Sequence, residues 1–359
     1  MKKILLCSAA LVGVAFAAAP AMAQVDVTVG GHTKNYMGYL TQDDTAATTE
    51  ERNFDMLRES EIHFNAEGTA DNGLTYGFHV ETEADGADSL DVEESYLYLA
   101  SNLGRVNLGS EDGAQYLLQV AAPSADANVD GLRQYINPIN ASLLPGGVST
   151  ESDYDADEFD TDVAEKVTYL SPNWSGFQFG LSYTPEGLDD IGTGLGGFNV
   201  DEQEDNVGAV YSGAVRYEGN FNNIGFAVGG GYTLADVEAD TNGSSEDGEE
   251  WNLGADFDIG AFGVGAAYKN VNGTTDGDSD EIDTYVVGAD YTTGPFQFGA
   301  SYLNSEVDGG QEQDRYTGGV VYTLTQGLTL RGSVSYSDFD NAGTDADATS
   351  VLGGVQFNF

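Results

Sequence analysis

The stretch Val351-Leu352-Gly353-Gly354-Val355-Gln356-Phe357-Asn358-Phe359 puts Val351, Gly353, Val355, Phe357 and Phe359 at one parity, with mostly polar or small residues between them. Successive side chains of a β-strand point to opposite faces, so this segment has one apolar face and one face suited to water. That is the pattern of a transmembrane β-strand. If it recurs upstream, it dictates both fold and function.

It does recur. Leu328, Leu330, Gly332, Val334 and Tyr336 alternate with Thr329, Arg331, Ser333, Ser335 and Ser337, and Tyr316, Gly318, Val320, Tyr322 and Leu324 form the run before. Further upstream come Phe296 to Tyr302, Tyr285 to Tyr291, Phe262 to Tyr268, Trp251 to Phe257, Ile224 to Leu234, Val207 to Tyr217 and Phe177 to Tyr183. Tyrosines recur at the ends of the runs, where a phenol fits the boundary between acyl chains and headgroups. A soluble β-sandwich also has period two. Here the Gly, Ser and Thr opposite each apolar face would fill a solid core poorly, and the polar parity carries charges. A water-filled interior accommodates both.

The connections alternate in length. Short ones are expected at 71–73, 102–104, 172–175, 219–223, 258–261, 293–295 and 325–327. Long acidic ones are expected at 41–53, 84–91, 111–163, 184–205, 237–249, 271–281, 306–313 and 340–348. Seven turns and eight loops join sixteen strands, the plan of a barrel with short turns on one side of the membrane and longer loops on the other. The fold class is therefore all-β, a transmembrane antiparallel barrel of about 16 strands, in one domain over residues 24–359.

Lys2 and Lys3, an apolar run from Ile4 to about Ala19, and the triplet Ala21-Met22-Ala23 read as a secretory signal peptide over residues 1–23. Cys7, the one cysteine, would leave with it, so no disulfide framework is expected. Of 12 Lys plus Arg, two would leave as well, which sets ten basic residues against 60 carboxylates. Such a chain is no partner for nucleic acid. Its 20 Tyr and 17 Phe speak against disorder. Beyond the signal no segment approaches the roughly 20 apolar residues of a spanning helix, which leaves the closed barrel as the way to satisfy every backbone polar group in lipid.

Four ordered stretches carry a resemblance to a known family. They are Val25-Asp26-Val27-Thr28-Val29-Gly30-Gly31, Asp71 to Phe78, Glu94 to Leu99 leading to Gly104 to Gly109, and Val167 to Pro172 followed by Gly176 to Gly180. With terminal Phe359, they resemble the sixteen-stranded general diffusion porins of Gram-negative bacteria, most of all those of alphaproteobacteria. The resemblance covers the whole chain beyond the signal. It implies a water-filled outer-membrane channel for passive diffusion of small hydrophilic solutes and ions, with no enzymatic activity. It also implies a homotrimer formed through the early strands, surroundings of outer-membrane lipid and lipopolysaccharide, and recognition of Phe359 by the barrel-assembly machinery. Finally, it implies that the long third loop folds into the pore.

That loop, 111–163, is far longer than the usual connection of about 4 to 6 residues. Tyr116 to Val120 and Val129 to Ile136 are candidate helical turns against the wall. A constriction selects by size and by the sign of its charges. Candidate constriction residues on the loop are Glu111, Asp112, Asp126, Asp130 and Arg133. Parity turns Arg105, Glu59, Glu61, His63, His79, Glu81 and Lys166 inward to face them. Family porins set acidic loop residues across from a basic wall, but few basic residues lie near these early strands. The carboxylate excess points instead to a cation-preferring pore. The alternative is a substrate-specific sugar channel, for which Tyr116, Tyr135 and Phe159 are the aromatic candidates.

No cofactor is expected. A structural calcium ion has a candidate place at Asp276, Asp278 and Asp280, although Glu281 stands where a calcium loop needs Gly, and Asp153, Asp155 and Asp157 are similarly spaced. The three histidines, His32, His63 and His79, have no serine partner in view for a hydrolase.

Overall fold

The computed structural model describes residues 25–44, 52–84, 91–123, 136–145, 154–159, 164–187, 207–237, 247–273, 281–341 and 343–359. Sixteen strands lie within them. They are β1 (Val25–Gln42), β2 (Phe54–Thr69), β3 (Thr75–Glu83), β4 (Asp91–Ser101), β5 (Gly104–Ser110), β6 (Glu165–Leu170), β7 (Phe177–Thr184) and β8 (Val207–Phe221), then β9 (Ile224–Val237), β10 (Gly248–Ile259), β11 (Phe262–Asn272), β12 (Glu281–Thr293), β13 (Phe296–Val307), β14 (Gln311–Thr325), β15 (Leu328–Asn341) and β16 (Thr344–Asn358). Each pairs antiparallel with its sequence neighbours, and β1 pairs with β16 to close the barrel. Closure leaves no sheet edge, so the backbone groups are satisfied between strands where no water is present. At the seam His32 lies opposite Asn358, and Gly31 and Phe359 exchange both backbone hydrogen bonds, at 3.2 and 3.1 Å. Among the described residues no helix is long and apolar enough to cross a membrane.

The alternation read from sequence becomes an exposed apolar outer face that includes Val27, Val29, Phe64, Leu97, Val215, Leu253, Val287, Val334, Val351 and Val355. Aromatic pairs band it at two heights. Towards the long connections run Tyr183–Tyr211, Trp251–Tyr268, Tyr285–Tyr302, Tyr302–Tyr316 and Tyr316–Tyr336, with ring centroids 4.8 to 6.4 Å apart. Towards the short turns run Tyr217–Phe226, Phe262–Tyr291, Phe296–Tyr322 and Phe357–Phe359. The tyrosine-rich band is tied to acidic and amide side chains one step further out. Tyr302 donates to Asp314 at 2.5 Å, Tyr268 donates to Asp283, and Trp251 donates to Asn270 at 3.0 Å. An apolar ring with a polar tip pointing to water is the arrangement that suits a membrane boundary.

The seven expected short turns are all present. Two of the eight expected long loops are not. Strands β13 and β14 extend to a tight turn at 308–310, and β15 and β16 extend to one that includes Gly343. The acidic composition of 306–313 and 340–348 suggests loop, but period two continues through both. Ala346 and Ala348 point inward and are buried with Leu40 and Phe339, and Gly309 and Gly343 supply the positive φ the turns need, +70° and +82°. The helical turn expected at Tyr116 to Val120 is a single turn, α1 (Ala114–Leu118), and a 3-10 turn forms at Ala141–Leu143.

The apolar core does not fill the barrel. It sits between the third connection and the wall: Ile136 against Tyr36, Leu144 against Leu40 and Phe339, Tyr154 with Ala122 against Ala267 and Leu303, and Phe159 against Val207, Val210 and Val271. The described parts of the 111–163 connection thus lie inside the barrel, as expected.

Candidate functional site

The inner wall receives this connection in a specific way. Backbone N–H groups of α1 at Ala114 and Gln115 donate to the hydroxyls of Ser182 and Ser212, both at 3.0 Å. This satisfies donors that a helix start leaves unpaired. The Gln115 amide oxygen accepts from Thr233 at 2.5 Å. Downstream the loop runs so close to the wall that only glycine fits beneath it. A Cβ at Gly254 would lie 1.7 Å from the Val120 carbonyl oxygen, and one at Gly288 would lie 2.1 Å from that of Pro123.

Three wall cations hold the loop by its backbone. Lys166 donates to the Glu111 carbonyl and, at 2.9 Å, to that of Ala164. Lys269 donates to the Asp155 carbonyl at 2.5 Å, and Arg216 to that of Gln119 at 3.0 Å. Charged donors to neutral carbonyls are strong bonds that also remove the cations from the open lumen. Lys166 and Lys269 are buried.

Glu111 begins the loop and is itself buried. Its carboxylate accepts from Asn107 Nδ2 at 2.5 Å. Burial is the main influence on its proton affinity and outweighs the Asn107 hydrogen bond. The nearby Glu94 charge acts in the same direction as burial, and the carboxyl is pushed up to about 7. Burial likewise raises Glu158. Asp112 is half-buried. The candidates Asp126, Asp130 and Arg133, with Tyr135 and the Val129 to Gln134 stretch, lie outside the described residues. So do Asp276, Asp278 and Asp280. Phe159 is fully buried against the wall, so its ring is closed to a passing solute.

The wall of β1 to β4 carries a different surface. Glu59, Glu61 and His63 of β2 and His79 and Glu81 of β3 lie on the face opposite Phe64 and Phe78, with His32 and Lys34 of β1 beside them. They form a continuous chain of contacts. Lys34 meets Glu59 at 2.7 Å and His32 meets Glu59 at 2.5 Å. His32 then meets Glu61 at 3.3 Å, His63 meets Glu61 and Glu81 at 3.2 and 3.3 Å, and His79 meets Glu81 and Glu94 at 3.6 and 3.4 Å. A register shift between β3 and β4 at Glu81/Thr82 turns Glu93 as well as Glu94 to this face. Arg105 of β5 borders the strip. Its Nε donates to Asn107 at 2.6 Å and its guanidinium stacks 4.1 Å from the centre of the Tyr98 ring.

Sequence parity thus located Glu59, Glu61, His63, His79, Glu81, Arg105 and Lys166 on the inner face. It did not bring in His32, Glu93, Glu94, Asn107 and Tyr96. Parity offers a signal for His32, which shares the inner face of β1 with Lys34, but none for Glu93, which depends on the bulge.

The comparisons with known proteins accord with this geometry. The model of the family described as "Gram-negative porin" matches residues 8–342. An uncharacterized protein of Rickettsia bellii is 25% identical over 232 residues, which is 48% of this chain and 52% of that protein. The chain therefore spans about half the length of the curated relative it matches. Among solved structures, an anion-selective porin from Comamonas acidovorans superposes with a TM-score of 0.68 at 20% identity, covering 94% of this chain and 100% of that one. OmpT, an outer membrane protein of Vibrio cholerae solved in trimer form, gives 0.60 at 15% identity, with 93% and 99% covered. A mutant of the Rhodopseudomonas blastica porin gives 0.55 at 18%, with 93% and 100% covered. At these identities the structures establish the shared barrel, and the family match over most of the length establishes more: the chain belongs to the Gram-negative porins.

Proposed function

We propose that this porin is a cation-preferring general diffusion channel of the outer membrane, of the alphaproteobacterial type. One observation carries the preference. Carboxylates of Glu61, Glu81, Glu93 and Glu94 line the wall of β2 to β4, while Lys166 and Lys269 are engaged by loop carbonyls and Arg216 by a loop carbonyl and the Glu218 carboxylate. A lumen lined by carboxylates concentrates cations, and its low-dielectric walls focus the field. Liposomes carrying the protein should admit small sugars at rates that fall smoothly with size and do not saturate. They should take up a small cationic solute faster than an anionic one of equal size. Saturable uptake of one sugar would favour the substrate-specific channel instead.

The assembly proposed is a homotrimer that meets through β1 to β5. Thr33 and Asn35 of β1 and Ser60 of β2 lie at the parity of Val29, Met37 and Phe64, level with Val355 and Phe357. Asn35 donates to Thr33 at 2.9 Å, and Thr33 and Ser60 share a hydrogen bond of 2.7 Å. Exposed Arg58 stands at the same parity. An Arg on the lipid side costs roughly 2 to 4 kcal/mol at mid-membrane, which a protein neighbour would relieve. The girdle contacts, by contrast, run over β7 to β16. Light scattering in mild detergent should give three chains per particle, and a porating monomer would contradict the assembly.

A further inference from the structure

The three histidines of the chain lie 31 and 16 residues apart in sequence, yet the register of β1, β2 and β3 gathers them on one patch of the inner wall. Ligand atoms of His32, Glu61 and His63 lie within 4.8 Å of one another, as do those of His63, His79 and Glu81. The successive nitrogen to oxygen separations around His63 are 3.2 and 3.3 Å. Donors placed about 2.1 Å from a tetrahedral ion stand about 3.4 Å apart. The spacing is that of ligands around a metal.

A second observation concerns the outer hydrogen bonds. His32 has Nε2 against Glu59 at 2.5 Å, and that carboxylate is in turn fixed by Lys34. His79 has Nδ1 against the Asn65 amide oxygen at 2.7 Å. In each ring one nitrogen is committed as the donor. In the neutral imidazole the other, Nδ1 of His32 or Nε2 of His79, then turns a lone pair towards carboxylate oxygens of Glu61, or of Glu81 and Glu94. A lone pair facing a carboxylate is repulsive unless a second ring proton or a metal ion lies between them, and the two carboxylates around His63 leave room for either. Orientation of a ring by an acceptor on its far nitrogen is the usual support of a metal-binding histidine.

We propose that this wall binds one divalent transition-metal ion per chain, held by Nε2 of His63 with either His32 and Glu61 or His79 and Glu81. His63 belongs to both triads through the same nitrogen, which limits occupancy to one. The mixed imidazole and carboxylate donors suit zinc, nickel or copper, whereas calcium and magnesium prefer sites built wholly of oxygen.

Calorimetric titration of the folded, detergent-solubilised protein with ZnCl2 tests this, with excess MgCl2 present to occupy oxygen-only sites. One equivalent should bind, with affinity reduced at least tenfold in His63→Gln, the residue common to both triads. Affinity unchanged in His63→Gln, or no binding above the magnesium background, would overturn the site. A measurement on the unaltered protein guards against a folding defect: one equivalent of Zn2+ should slow diethyl pyrocarbonate modification of the histidines. Modification at the same rate with and without Zn2+ would also overturn it. Histidines that are simply protonated and ion-paired would give that result.

Discussion

Glu111 is the clearest case of a single side chain whose state depends on where the loop lies. Its carboxyl holds a proton up to about 7 in the folded barrel because burial disfavours the charge, whereas an unfolded chain releases it near the ordinary 4.5. Between those values the folded state binds more protons, so this group's contribution to stability falls as pH rises through that window. Glu111→Gln removes the titration. Unfolding followed by heat-modifiable mobility at pH 5 and pH 8 should show the parent losing more stability over the interval than the variant. Equal losses would show that Glu111 is ionised throughout. The residue was legible as a loop carboxylate, but its burial was not, because that depends on Asn107, Lys166 and the loop closing over it.

Among the elements, the third connection depends on the absence of side chains beneath it. Gly254 has the Val120 carbonyl where a Cβ would stand. Gly254→Val should therefore leave the barrel folded and lift the loop from the wall around 119–123, with single-channel conductance changed by well over a tenth. An unchanged conductance would mean that the loop does not define the aperture. Lys269→Met should cost roughly 1 to 3 kcal/mol, the usual penalty when a buried group loses a charged partner. The strands themselves were largely legible, because a period of two with lipid outside leaves few alternatives. Composition misled at 306–313 and 340–348, where acidic residues continue the strands past the girdle. Glycines such as Gly254 and Gly288 read only as small lumen residues, since the loop they receive is more than 130 residues away in sequence.

At the scale of the whole molecule, an acidic chain separates its charge from lipid by geometry. The outer face is apolar between two aromatic bands, carboxylates gather above the tyrosine band and on the inner wall of β2 to β4, and three of the sparse cations, Lys166, Arg216 and Lys269, fasten the loop. Where the family resemblance implies a basic wall, the described inner face of β1 to β4 carries histidines set between glutamates, with Lys34 paired to Glu59. The central claim is the sign of the field in the pore. Zero-current potentials across a tenfold KCl gradient, recorded in planar bilayers with EDTA present, test it most directly. The parent should show cation preference, and replacing Glu61, Glu81, Glu93 and Glu94 with Gln should move the potential towards zero. Anion preference in the parent, or an unmoved potential in the variant, would contradict the account.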